Sequence, residues 1–400
     1  MSKADYDKKT FCPAPWMSVE IGESGQLRPC CVYYGSFGNI RDTSLSAAFN
    51  SEKNAQLREM LRRDQWPKEC WHCSNGEYMG STSRRTEYIE YLHKYDIDFD
   101  YRPGLVAFVV RFSNLCNLAC RHCKSGNSTK WVKYENLLAE KGFEVEAASP
   151  FSITGQGMEE MEGFLLAHRQ TLRSVTVKGG EPIIEPQFTR FLKFLVKSEM
   201  AKNIDLVFFT NGTKPSSEIM ELLGQFAFIG ALVSVEGTGP IYQYIRNNKT
   251  TLEEDVLETA TSYSRLPNAR VAWRPTFCAY NLWDIENLYK FCCVDYPFNT
   301  VNLDRYEHRV LGHFIQQRVD YPRYLTPGIF DTEAREEYFQ FLEQTTVEEQ
   351  GKEFIRKYFK LYPFNEEWRR EFVEFTATLD EAQGKSLVNV EPRFKAVLQR

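Results

Sequence analysis

Arg111-Phe112-Ser113-Asn114-Leu115-Cys116-Asn117-Leu118-Ala119-Cys120-Arg121-His122-Cys123 is the stretch on which the reading of the chain turns. Three cysteines fall in a C-x3-C-x2-C spacing directly after a β-branched run at 105–112. Three thiolates on one short loop can hold three irons of a four-iron cube and leave the fourth iron open to a ligand. Zinc is the competing reading, but zinc sites favour paired knuckles and four ligands in total. The loop also follows the first strand of an alternating array. Carboxyl ends of parallel strands are where such arrays gather their ligands.

Working outward, the middle of the chain alternates short β-branched runs with longer amphipathic ones. Strands are predicted at 105–112, 174–178, 204–210, 230–235, 270–276 and 300–304. Helices are predicted at 128–141, 186–198, 216–226, 252–264 and 282–292. Six strands alternating with helices imply parallel βα units and the α/β class, as a partial (β/α)6 barrel of TIM type. The gap at 142–171 is longer than a βα connection needs and reads as an insertion near the barrel mouth. Three domains follow: a Cys-rich module at 1–95, the barrel at 96–305 and a helical extension at 306–400. In the extension, aromatic and aliphatic residues recur at helical spacing over 333–344 and 347–361.

These motifs resemble the radical SAM superfamily. The family's C-x3-C-x-Φ-C motif matches Cys116, Cys120 and Cys123, with His122 at the aromatic-type position. Lys178-Gly179-Gly180-Glu181-Pro182 follows the second predicted strand and matches the family's GGEP motif, which contacts the amino group of S-adenosyl-L-methionine (SAM). Glycines allow close backbone approach, and a carboxylate suits an ammonium. Asn211, in Phe209-Thr210-Asn211-Gly212-Thr213, ends the third strand, and Ser234 and Glu236 end the fourth. The resemblance assigns Ser234 and Glu236 to the SAM ribose or carboxylate region, although the family often has Asp where Glu236 stands. Arg246 resembles a family arginine that pairs the SAM carboxylate.

The N-terminal cysteines form a second set: Cys12-Pro-Ala-Pro-Trp, then Gly25-Gln-Leu-Arg-Pro-Cys30-Cys31, then Cys70-Trp-His-Cys73. They resemble the twitch module, the short form of the SPASM domain. That resemblance implies a second, auxiliary [4Fe-4S] cluster on Cys12, Cys30, Cys70 and Cys73. Four thiolates leave no iron open. A structural zinc site uses the same knuckle spacing and stays open as an alternative. Cys30 and Cys31 are adjacent, and the spacing from Gly25 selects Cys30. A twitch module normally follows the barrel; here it precedes it. The remaining cysteines, Cys278, Cys292 and Cys293, read as buried structural thiols, with Cys278 the one to test for a redox role.

Eleven cysteines in a chain without an apolar signal core point to metal in a reducing, cytoplasmic setting. No run of 18 apolar residues appears, so no membrane span is expected. A net charge of −5 gives no support for a nucleic-acid partner. In the resembled family the SAM-binding [4Fe-4S] cluster supplies an electron that cleaves SAM. The resulting 5′-deoxyadenosyl radical takes a hydrogen atom from the substrate. The expected partners are therefore SAM, an electron donor such as flavodoxin or ferredoxin, and a peptide, protein or small-metabolite substrate. A non-catalytic Cys-rich metal-binding protein and a radical SAM nucleic-acid modifier are the rival readings.

Overall fold

Val175 and Val177 alternate with Ser174, Thr176 and Lys178, and this five-residue stretch forms a strand as its pattern predicts. The computed structural model describes residues 10–78, 83–145, 151–298 and 317–399. Five predicted strands form: β3 (Ala107–Arg111), β4 (Ser174–Lys178), β5 (Asp205–Thr210), β6 (Phe228–Ser234) and β7 (Ala269–Arg274). The sixth, at 300–304, lies outside the described residues, as does the boundary between barrel and extension at 305–306.

Two further strands come from the N-terminal region: β1 (Ser18–Ile21) and β2 (Leu27–Arg28). Among the described residues the sheet thus reaches seven strands in the order β2-β1-β3-β4-β5-β6-β7 and does not close on itself. β1 runs parallel to β3, with Ser18 opposite Ala107 and Glu20 opposite Val109. β3, β4 and β5 are parallel to one another, while β2 returns antiparallel to β1. All four residues of β1 are buried, Glu20 included. An acidic residue mid-strand hides such a strand from a periodicity argument.

The chain divides into two compact units. One comprises Met1–Leu115, Ser149–Phe209 and Pro215–Gly230; the other Cys116–Ala148, Thr210–Lys214 and Ala231–Arg400. In the first, the helix Pro186–Lys197 buries Phe188, Phe191, Leu192 and Leu195, the i, i+3, i+4, i+7 stripe of a core-facing helix. The segment read as an insertion carries its own helix, Gln156–Ala167, which buries Met158, Met161, Phe164 and Leu165. Just before that helix, Ile153 N–H donates to the Phe112 carbonyl at 2.7 Å, so the segment lies along the carboxyl end of β3.

In the second unit, the helices predicted in the extension form at Thr332–Gln344 and Glu349–Leu361. A third, Glu366–Gln383, is longer than either and buries Phe372, Phe375, Thr376 and Leu379. Two predicted helices carry π turns, at Leu252–Val256 and Lys290–Asp295. The second holds Cys292, which is buried, and Cys293, which is half-buried. Cys278 is fully buried, and burial pushes its thiol up to about 12. A thiol so held is a poor nucleophile, which favours its reading as a packing residue over a redox one.

Candidate active site

Three side chains after β3 open the site. Cys116 and Cys120 are buried and Cys123 is half-buried. Their loop is pinned by backbone and side-chain hydrogen bonds within the second unit. Cys123 N–H donates to the Cys120 carbonyl at 2.9 Å, and Trp131 Nε1 donates to that carbonyl at 2.7 Å. Arg121 N–H donates to the Ile245 carbonyl at 2.8 Å, tying the loop to the helix Gly239–Arg246.

Arg121 itself was not singled out by its sequence and is the strongest anchor of the loop. Its side chain is fully buried, lies over the Tyr244 ring at 3.8 Å, and donates Nη2 to Asp380 at 2.7 Å. Asp380 also accepts from the Tyr244 hydroxyl at 2.9 Å and from Leu387 N–H at 2.8 Å. A cation between two cysteines reads as solvated from sequence alone. Only a carboxylate 259 residues away explains why it is buried.

Around the same loop the structure gathers His122, Asn211, Glu236 and Arg246, all in the second unit. Asn211 Nδ2 lies 3.9 Å from Cys116 Sγ and donates to Asn117 Oδ1 at 2.8 Å. Arg246 Nη1 lies 3.7 Å from Cys120 Sγ. Its Nε approaches Glu236 Oε2 at 2.6 Å, yet neither atom is in hydrogen-bond geometry. Arg246 Nη2 and His122 Nδ1 are buried without a hydrogen-bond partner as well. Burial pushes the Glu236 carboxyl up to about 7, opposed by Arg246. Burial, aided by Arg246, pulls His122 down to about 3, so its imidazole is neutral. Ser234 is half-buried, and among the described residues its hydroxyl makes no hydrogen bond. Buried polar atoms left unpaired are costly, and several in one place are a cradle for a polar ligand.

Gly179, Gly180 and Glu181 belong to the first unit, and there the structure supplies a reason for the glycines. A Cβ on Gly180 would stand 1.9 Å from the Leu115 carbonyl oxygen. Gly179 has φ +124°, and a Cβ there would meet the Ser113 carbonyl oxygen at 2.9 Å. Glu181 N–H donates to the Leu115 carbonyl at 2.8 Å. The glycines thus let this turn strap the residue that immediately precedes Cys116. Glu181 is buried, and its Oε1 accepts from Ile183 N–H at 3.1 Å, capping the short turn Pro182–Ile184.

The second cysteine set is gathered from three stretches of the first unit. Cys12, Cys30, Cys70 and Cys73 line one small cavity, part of it open to solvent. Val32, Tyr33, Leu61, Trp66, Arg84, Arg85 and Tyr88 complete its wall; Cys31 does not line it. Burial raises the thiols of Cys12, Cys30 and Cys70. Thiols so desolvated become ligands only when a cation stabilises the thiolate, which fits an iron–sulfur group. Arg85 holds the frame: it donates to both oxygens of Glu77, at 2.8 and 2.6 Å, and to the Phe11 carbonyl at 2.9 Å. Among the described residues, no three His, Cys, Asp or Glu side chains stand together as ligands of a single ion.

The sequence matches the model described as "Radical SAM superfamily" over residues 110–292. It matches SPASM, "Iron-sulfur cluster-binding domain", over residues 12–74. Residues 110–292 thus carry a radical SAM domain and residues 12–74 a SPASM domain. The two radical SAM and SPASM regions bring with them a SAM-binding iron–sulfur cluster and an auxiliary one. No curated protein matches the sequence. Among solved structures the chain is similar to Streptococcus suis SuiB bound to S-adenosylmethionine, at 14% identity, 62% of this chain, 50% of that one and TM-score 0.33. It is also similar to anSMEcpe with bound AdoMet, at 16% identity, 46% of this chain, 48% of that one and TM-score 0.37. SuiB bound to the precursor peptide SuiA gives 16% identity, 68% and 60% coverage and TM-score 0.33. The chain spans about half the length of the first two. No helix of the described residues is long and apolar enough to cross a membrane.

Proposed function

We propose that this chain reductively cleaves SAM at a cluster held by Cys116, Cys120 and Cys123, and that the product radical takes a hydrogen atom from a peptide, protein or small-metabolite substrate. The radical SAM domain at residues 110–292 supports an enzyme activity. The observation that carries the finer reading is the buried Arg246–Glu236 ion pair beside the cysteine loop, with Arg246 Nη2 and His122 Nδ1 left without a partner next to it. In this reading Arg246 takes the SAM carboxylate, Ser234 and Glu236 line the ribose or carboxylate region, and Asn211 contributes to the SAM site. Glu181, following Gly179 and Gly180, takes the ammonium. The cluster, when bound, supplies the electron that breaks the carbon–sulfur bond. The chain's own residues orient SAM and keep water out of the buried cradle.

Cys12, Cys30, Cys70 and Cys73 hold the auxiliary [4Fe-4S] cluster in the same proposal. Zinc would draw four sulfurs to about 2.3 Å from one centre. Among the described residues no three of these thiols stand together as ligands of a single ion, which suits a larger group better. We keep 1–95, 96–305 and 306–400 as the proposed domains, and a flavodoxin- or ferredoxin-type donor as the proposed electron source. The test is anaerobic reconstitution, reduction and addition of SAM. The expected result is 5′-deoxyadenosine by chromatography, with a shift of the reduced cluster's electron paramagnetic resonance (EPR) signal on SAM binding. No shift and no 5′-deoxyadenosine would reject the reading.

A further inference from the structure

Residue 20 of β1, 28 of β2, 109–111 of β3 and 176–178 of β4 lie in register toward the carboxyl ends of the parallel strands. Glu20 pairs with Arg28 and with Val109, and Arg111 pairs with Lys178. Alternation puts Glu20, Arg28, Arg111 and Lys178 on one face of the sheet. Their charges are uneven. Glu20 is fully buried and meets Arg28 Nη2 at 3.3 Å. Glu87 is taken by Arg84 at 2.5 Å, and Glu23 lies 3.8 Å from Arg111. Lys178 has no such acid. Among the described residues its ammonium makes no hydrogen bond or ion pair, and its Nζ lies over the Phe209 ring at 6.0 Å from the centroid.

Burial lowers the proton affinity of Lys178, and the neighbouring Arg84 and Arg111 lower it further, with Cys31 and Glu20 opposing them. Holding two cations beside one half-buried ammonium costs free energy, and an anion relieves it. Lys178 stands three residues before Glu181, on the side of the sheet where barrels receive substrates.

We infer that Lys178 and Arg111, backed by Arg84, form an oxyanion subsite that grips a carboxylate or phosphate group on the substrate. The inference rests on the SAM-cleaving reading above and narrows it to anionic substrates. Arg111 offers a fork that suits two oxygens, and Lys178 a point charge beside it.

Two measurements test it. In the first, the holoenzyme is titrated calorimetrically with glutarate, with inorganic phosphate and with neutral glutaramide. One of the anions binds and glutaramide does not; which anion binds tighter names the group. Lys178→Met and Arg111→Gln each weaken that binding about tenfold or more, while Lys178→Arg retains most of it. Absence of anion binding, or unchanged binding in Lys178→Met, overturns the proposal. So does a Lys178→Met enzyme that loses SAM affinity by the same factor, since the cations then serve SAM. A shift in the auxiliary cluster's EPR signal with anion affinity unchanged also overturns it, because the cations then serve the cluster. In the second, cell extract is split on an anion exchanger and each pool is incubated with enzyme and SAM. The modified product appears in the retained pool. Product found only in the flow-through, with 5′-deoxyadenosine formed, rejects the subsite and leaves SAM cleavage standing. Failure to form 5′-deoxyadenosine in any pool rejects SAM cleavage, and the calorimetry still reads the subsite alone.

Discussion

The two cysteine sets solve the same problem in opposite ways. Cys116, Cys120 and Cys123 come from one loop of eight residues, so local sequence brings them together and distant residues only fix the loop's posture. Arg121 to Asp380, and Arg121 N–H to Ile245, do that fixing. Cys12, Cys30, Cys70 and Cys73 are separate in the sequence, and only folding assembles them around a cavity. The frame there is Arg85 joining Phe11 to Glu77, which lies on the helix Trp71–Tyr78 that also carries Cys73. A contiguous loop can be read as a motif; a dispersed set needs its scaffold before it is a site. The two sets should therefore fail differently when perturbed.

The largest effect separates them outright. Cys120→Ala should abolish 5′-deoxyadenosine formation and remove about four of about eight irons per chain. Cys12→Ala should remove a similar share of iron but keep the SAM-induced shift in the remaining cluster's EPR signal. Iron analysis with EPR reads both. Loss of the SAM response in Cys12→Ala would show that the two sets do not hold separate clusters.

This contrast also marks what the sequence makes legible. The three-cysteine loop, the strands at Ser174–Lys178 and Asp205–Thr210 and the helix Pro186–Lys197 are visible because local chemistry and periodicity fix them. β1 is not, because its middle residue is Glu20, a buried carboxylate whose partner Arg28 arrives only with the hairpin. Arg121 and Asp380 are invisible for the same reason: each is an ordinary surface-type residue until the other is placed. Gly180 is legible as a motif, but its demand comes from the Leu115 carbonyl, which only the fold brings there.

The next effect tests the long-range clamp. Arg121→Ala leaves Asp380 without its cation in a partly buried place, and breaking such a pair by one partner costs about 3–5 kcal/mol. Denaturant unfolding of the reconstituted protein should show that loss. The double variant Arg121→Met with Asp380→Asn should recover part of it, because no charge is then stranded. Equal stability for Arg121→Ala and wild type would show that the loop holds its own posture. Gly180→Ala should come next. Its Cβ collides with backbone that cannot step aside, at an overpacking cost of about 1–3 kcal/mol. The SAM-binding cluster should then load poorly while the auxiliary cluster loads normally.

The smallest effect is the sharpest test of how the dispersed set is built. Cys30 and Cys31 are neighbours, so any motif that tolerates one residue of slippage accepts either. The structure distinguishes them by direction. Cys30 lines the cavity with Cys12, Cys70 and Cys73, whereas Cys31 is absent from its wall and lies in the electrostatic neighbourhood of Lys178 and Arg84. Two successive residues in extended or turn backbone point apart, so turning Cys31 inward would require Cys30 to turn out. Cys30→Ala should therefore cost the auxiliary cluster its full iron complement. Cys31→Ala should leave iron content and the cluster's EPR signal as in wild type. The pair controls for itself, since both variants remove one thiol from the same turn. If Cys31→Ala lost the cluster and Cys30→Ala kept it, the cavity would not be the cluster's seat. The dispersed set would then have to be rebuilt around the face that Lys178 and Arg84 share.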